Sequence, residues 1–221
     1  MVMSRRDDIP AYYFIFYTDV VGSSDSKLDL RQQINRLNAL NEILGNVLFP
    51  NTIYSDTHQW SIKYHASTGD GAVICFKSVI DPFELAINLH RGISIYNVSN
   101  DRLSDSEKIQ IRIGISGGET LLVRHFDKRS PHAAPWGRDM VMAKRIMDIG
   151  CPGHILVSDG TKEQVMQFNR DYKFKHMGEH TVKHGDKVVV YSFLYQDGRY
   201  RIGNEDPICC DCHKLPPRDK G

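Results

Sequence analysis

The feature that most constrains this chain is an unbroken apolar run over residues 11–18, Ala-Tyr-Tyr-Phe-Ile-Phe-Tyr-Thr, that ends on Asp19. A β-rich segment without a polar face predicts a strand at the centre of a sheet, covered on both sides. The chain must then supply helices to cover it, and the residues that follow do so. A polar turn over 19–25, rich in helix N-cap residues, leads to Leu30, Ile34, Leu37, Leu40, Leu44 and Val47, which recur at helical spacing until Pro50. Strands are expected over 63–67 and 72–77, joined through Thr68-Gly69-Asp70-Gly71. Asp81-Pro82 opens a second helix, cap then proline, with Leu85, Leu89, Ile93 and Tyr96 along one face.

The clearest alternation, Ile109, Ile111, Ile113 and Ile115, predicts a half-buried strand that Gly117-Gly118 turns back into 119–123. A polar, basic loop over 124–135 precedes a third helix over 137–149. The turn Cys151-Pro152-Gly153 leads into a short strand over 154–157. A helix near 161–168 and strands over 172–177 and 188–195 complete the order. This pattern predicts an α/β (α+β) fold, a mixed sheet backed by helices. At 221 residues the chain has room for one full core. The expected organisation is an N-terminal tail over 1–10, a single domain over 11–200 and a loosely ordered C-terminal tail over 201–221.

Composition excludes several classes. A net charge of +1 argues against a nucleic-acid binder, and no apolar run is long enough for direct membrane insertion. Five cysteines are too few for a disulfide framework, so Cys75 and Cys151 read as reduced thiols. Cys209, Cys210, Cys212 and His213 are too tightly spaced for a zinc site and read as tail.

The chemistry rests on two carboxylates. Asp19 leaves the end of the buried strand and Asp70 sits on the tip of a hairpin. If those strands are neighbours, two hard oxygen donors meet at one sheet edge, as a magnesium or manganese site for nucleotidyl transfer requires. The small residues after Asp19 leave backbone amides suited to phosphates.

The segment Phe16-Tyr17-Thr18-Asp19-Val20-Val21-Gly22-Ser23 resembles the first metal motif of class III adenylyl and guanylyl cyclases, and Thr68 to Phe76 resembles their second. Ile111 to Glu119 is similar to the family's next hairpin. Trp136-Gly137, Ala143, Arg145 and the stretch Cys151 to Ser158 resemble its catalytic helix and following strand, and Val182-Lys183 its last phosphate-binding loop. The resemblance implies a class III cyclase-like mixed antiparallel sheet with a ferredoxin-like βαββαβ core flanked by helices. It implies two Mn2+ or Mg2+ ions on Asp19 and Asp70, nucleotide contacts from Tyr17, Val20, Gly22, Ser23 and Lys183 (with Lys187 as a substitute), and a catalytic Arg145. It also implies a homodimer with composite active sites, Asp19 and Asp70 coming from one chain and Arg145 from the other.

Three positions depart from the family pattern. The purine-reading lysine falls at Ala66 and its partner at Ala134, and neither alanine side chain can hydrogen-bond a base. The helical asparagine falls at Val141, on one helix face with Arg138 and Arg145, so Arg138 is the candidate replacement. With both carboxylates intact, this pattern resembles the bacterial pyrimidine cyclases of Pycsar anti-phage defence. That resemblance implies a cytoplasmic uridylate cyclase that turns UTP into cyclic UMP for a separate effector protein. Tyr64, with His65 and Tyr54, is a candidate to close the smaller base pocket. The alternatives are a cytidylate or purine cyclase, and an inactive nucleotide-binding dimerisation module.

Overall fold

The computed structural model describes residues 10–23, 28–50, 59–100, 103–104, 107–124, 133–198 and 200–208. Among these residues nine strands form the sheet: β1 (Ala11–Val20), β2 (Ile62–Ser67), β3 (Gly71–Phe76), β4 (Ile111–Arg124), β5 (Ala133–Trp136), β6 (Ile155–Ser158), β7 (Lys173–Thr181), β8 (Lys187–Asp197) and β9 (Tyr200–Ile202). Among the same residues four α-helices accompany them: α1 (Leu30–Leu48), α2 (Asp81–Ser99), α3 (Arg138–Ile149) and α4 (Asp159–Phe168). The strand order is β2-β3-β1-β4-β6-β8-β7, with β5 added to β4 and β9 to β8. Among the described residues only the β4–β6 pairing is parallel. Within this sheet β1-α1-β2-β3-α2-β4 is the expected ferredoxin-like unit.

The apolar run lies where its composition predicts. From Tyr13 to Val20 every residue of β1 is buried, flanked by β3 and β4. Alternation sorts its side chains between layers. Phe14, Phe16 and Val20 join Leu40, Leu44 and Leu48 of α1 and Phe83, Leu85 and Leu89 of α2 in the main core. Ile15 and Tyr17 point the other way, onto Ala143 and Met147 of α3. Helix α1 starts at a capping box, in which Asp29 accepts from the Gln32 amide and the Gln32 side chain accepts from the Asp29 amide. Asp81 is the first residue of α2 rather than its cap, because its carboxylate accepts from the Ser61 amide and hydroxyl, both at 2.7 Å.

The structure corrects one expected hairpin. Gly117 and Gly118 do not turn the chain; β4 runs straight through them, paired with Phe14 and Tyr13 of β1. These glycines serve close packing. A methyl group at Gly117 would lie 2.7 Å from the Phe14 ring, and one at Gly118 would fall on the Asp139 carboxylate of α3. Residues 133–135, expected in the loop over 124–135, instead form β5 together with Trp136, against residues 121–124. Ile202 of β9 is buried in the main core. Cys75 is a buried free thiol, pushed up to about 12 by burial, whereas Cys151 is disulfide-bonded rather than reduced. Tyr54 and the cluster Cys209 to His213 lie outside the described residues. Among the described residues no helix is long and apolar enough to cross a membrane.

Candidate active site

Antiparallel pairing decides how the two carboxylates meet. Asp19, near the end of β1, is the register partner of Gly71, which follows Asp70 at the start of β3. The Val20 amide then donates to the Asp70 carbonyl at 2.9 Å, locking the hairpin tip to the strand end. Gly71 allows this approach, since a side chain there would collide with the Thr18 carbonyl. Asp19 and Asp70 line one cavity of about 190 Å3 with Tyr17, Thr68, Lys144 and Met147.

The polar contacts inside it are specific. Asp70 accepts from the Ser23 hydroxyl at 2.8 Å. Asp19, 8% exposed, accepts from Nε of Arg112 at 3.0 Å and from its Nη2 at 2.5 Å. This bidentate pairing is the geometry in which a guanidinium best neutralises a carboxylate. Tyr17 is held protonated chiefly by burial, with smaller contributions from Cys75, Tyr64 and Asp148. Two carboxylates at one cavity, with a hydroxyl on one of them, suit a hard divalent cation. Arg112 compensates Asp19, while Asp70 lines the same cavity and its carboxylate accepts only a neutral hydroxyl among the described residues, so a cation between them would offset the second carboxylate.

Other expected phosphate contacts are partly rearranged. Helix α1 begins at Leu30, beyond its Asp29 cap, so the turn after Asp19 does not run directly into a helix N-terminus. The Val20 amide is taken by Asp70 and the Val21 amide by the Gln110 carbonyl at 2.8 Å. Gly22, in the left-handed region at φ 65°, keeps an amide with no acceptor among the described residues.

The remaining candidates gather elsewhere on the chain. Arg138, Val141 and Arg145 lie along the outward side of α3, while Met142, Ala143, Ile146 and Met147 are buried. Nη1 of Arg145 donates to Asp186 at 2.6 Å. Asp186 follows the short 3-10 turn Lys183–Gly185, so exposed Lys183 sits on the same loop. Neither Arg145 nor Lys183 lines the Asp19 cavity of its own chain. Lys187 pairs with Glu179 at 2.9 Å.

Ala66 on β2 and Ala134 on β5 are half-buried, and the two strands touch. A bulge between Ile62 and Tyr64 turns Tyr64 and Ala66 onto the α3 side of the sheet, against Tyr17 and Val73. His65 instead faces α1, its ring 5.6 Å from that of Phe49, which removes it from the base-pocket candidates.

Sequence reasoning missed Arg112, which pairs with Asp19, and Lys144, which lines the cavity and pairs with Asp148 at 3.2 Å. The signal for Arg112 was present: it alternates with Ile111 and Ile113, so it had to project from the face of β4 opposite the main core, and register pairs it with Asp19.

Residues 13–195 match the model of the adenylate and guanylate cyclase catalytic domain. Adenylyl cyclase X E of Drosophila melanogaster is 28% identical over 144 residues, which are 64% of this chain and 12% of that protein. Putative adenylate cyclase 3 of Rhizobium meliloti (strain 1021) is 29% identical over 122 residues, 55% of this chain and 19% of that one. The chain thus spans less than a fifth of either relative. Among solved structures, the adenylyl cyclase CyaB from P. aeruginosa superposes with a TM-score of 0.70 at 14% identity, covering 86% of this chain and 97% of CyaB. The guanylyl cyclase Cya2 gives 0.68 at 18% identity, covering 89% and 98%. These structures share the fold, and the match over residues 13–195 makes this chain a member of the adenylate and guanylate cyclase catalytic domain family.

Proposed function

We propose that the chain is a metal-dependent nucleotide cyclase that acts as a homodimer, closing a nucleoside triphosphate to a 3′,5′-cyclic monophosphate with release of pyrophosphate. The observation that carries this reading is the convergence of Asp19 and Asp70 on one cavity at the end of β1. Two Mg2+ or Mn2+ ions held by these carboxylates would activate the ribose 3′-hydroxyl and offset charge on the leaving pyrophosphate. Ser23 fixes the Asp70 carboxylate, and Arg112 is placed to exchange Asp19 for a phosphate oxygen. Arg145 and Lys183, held near Asp186 and outside their own chain's cavity, are the groups a partner subunit supplies to the reacting phosphates. Exposed Val123, Trp136 and Val141, at 48%, 72% and 49%, support an apolar contact between subunits. Arg138 stands in for the missing asparagine at Val141, on the same helix face as Arg145 about two turns away.

The names of the relatives, adenylyl and guanylyl cyclases, support ATP or GTP as the substrate. Ala66 and Ala134 favour a second reading. Neither side chain can read a purine edge, the strands that carry them, β2 and β5, touch, and Tyr64 packs in the same cluster as Ala66. On that reading UTP is the substrate, and cyclic UMP made in the bacterial cytoplasm signals phage infection to a separate effector. A turnover assay with ATP, GTP, CTP and UTP offered separately with Mn2+ decides between them. Asp70→Ala abolishes the product in either case. A wild-type chain that turns over none of the four, yet binds nucleotide, would identify an inactive dimerisation module.

A further inference from the structure

The turn after β1 is held from beneath by a buried guanidinium. Arg36 of α1 is 5% exposed and continues the buried stripe of Leu40, Leu44 and Leu48, a position where helical patterning calls for an apolar residue. Burying a guanidinium there costs several kcal/mol, of order, unless hydrogen bonds compensate it. Its Nη2 donates to the Val21 carbonyl at 2.7 Å and its Nη1 to the Gly22 carbonyl at 3.2 Å.

Those two bonds fix the orientation of two consecutive peptide planes. Both peptides are trans, so each N–H points opposite to the carbonyl of the same unit. With the Val21 and Gly22 carbonyls drawn onto Arg36, the N–H groups of Gly22 and Ser23 face away from it. The Ser23 amide makes a long bond to the Val20 carbonyl at 3.2 Å, whereas the Gly22 amide has no acceptor among the described residues. The positive φ of Gly22 is what permits this arrangement. The same turn carries the Ser23 hydroxyl to Asp70 at 2.8 Å. Two peptide dipoles are therefore aligned with their carbonyl ends on a buried cation and their N–H ends directed away from it, in the turn whose Ser23 hydroxyl reaches Asp70.

We propose that Arg36 is a positioning residue of the triphosphate site, aligning the Val21–Gly22 and Gly22–Ser23 peptides so that the Gly22 amide donates to a phosphate of the bound nucleotide. This inference rests on the reading above that a triphosphate binds beside Asp19 and Asp70. Inorganic tripolyphosphate with Mg2+ is the probe, because it carries no base and its binding is independent of base choice. By titration calorimetry, Arg36→Met weakens tripolyphosphate at least about 10-fold, and Arg36→Lys, which keeps the charge and one donor direction, recovers part of the loss. With nucleotide, KM rises in the same order while kcat changes less. In the 15N-labelled wild-type chain the Gly22 amide resonance moves downfield on saturation with tripolyphosphate. If the wild-type chain binds neither tripolyphosphate nor nucleotide, the reading of the site falls and this inference with it. If it binds tripolyphosphate while the Gly22 amide stays unmoved, or a folded Arg36→Met chain binds equally well, the role of Arg36 alone is overturned. Should Arg36→Met fail to fold, the wild-type amide shift decides the matter.

Discussion

Replacing Gly114 by alanine tests whether the sheet and α3 are packed as closely as the active-site geometry requires. Gly114 lies on β4 between Ile113 and Ile115, with its α-carbon facing the backbone of α3. An added methyl group would lie 2.6 Å from the Met147 amide nitrogen, 2.8 Å from the Met147 β-carbon, and closer still to the Ala143 carbonyl oxygen. Ordinary contact begins near 3.4 Å, so α3 must move outward by about 1 Å. These neighbours are mostly helix backbone, which cannot swing aside as the tip of a side chain can. Overpacking of this kind costs about 1–3 kcal/mol, which lowers the melting temperature by roughly 2–12 °C in a domain of this size. Arg138 and Arg145 ride on the same helix, and a misplacement near 1 Å can cost about 100-fold in rate. Thermal melts followed by circular dichroism, together with initial rates of cyclic nucleotide formation, read both effects. Gly45→Ala is the control: nothing lies within 4 Å of an added methyl group there. It removes a glycine from the interior of α1 and stabilises by about 0.5–1 kcal/mol. A Gly114→Ala chain that melts and turns over like the wild type would refute the claim that α3 is seated on that glycine.

Two further perturbations probe charge. Arg112→Met leaves the buried Asp19 carboxylate without its bidentate partner and costs about 3 kcal/mol in the presence of a chelator. Mn2+ restores more stability to this variant than it adds to the wild type, read as the shift in melting temperature on adding the ion. An equal shift in both proteins would argue that Asp19 does not hold metal. Burial pushes His90 down to about 4 in the folded chain, below the ordinary imidazole value of 6.5, and its Nε2 has no hydrogen-bond partner among the described residues. The unfolded chain therefore takes up a proton between pH 6.5 and pH 4 that the folded chain refuses. Stability contributed by neutral His90 is fully present above pH 6.5 and is lost as pH falls through that window, by up to about 3 kcal/mol. His90→Leu flattens this part of the urea-denaturation profile, and an unchanged slope would show that other groups set it.

What could be read from the sequence follows from how local each signal is. The burial of β1, the amphipathic stripe of α1 and the order of elements depend on neighbours within a few residues, and they lie close to where the pattern places them. Asp19 and Asp70 were legible because one strand end and one hairpin tip need only an antiparallel register to meet. Gly117-Gly118 was misread because a glycine pair looks the same whether it frees the backbone to turn or clears space for another element. Only the Phe14 ring and the Asp139 carboxylate, both distant in sequence, distinguish the two. His65 and Tyr64 are adjacent residues, so strand alternation alone sends them to opposite faces; the bulge at Ile62/Tyr64 decides which one faces α3. Arg36 was hidden for a related reason. On a helix with Arg31 nearby and a polar face, one more arginine reads as a solvated charge, yet its side chain is closed in by a turn that precedes it by fourteen residues at Gly22. The main-chain carbonyls that receive it have no sequence signature at all. Residue types therefore announce the paired carboxylates, while the groups that fix the backbone of the turn beside them become visible only once the chain is folded.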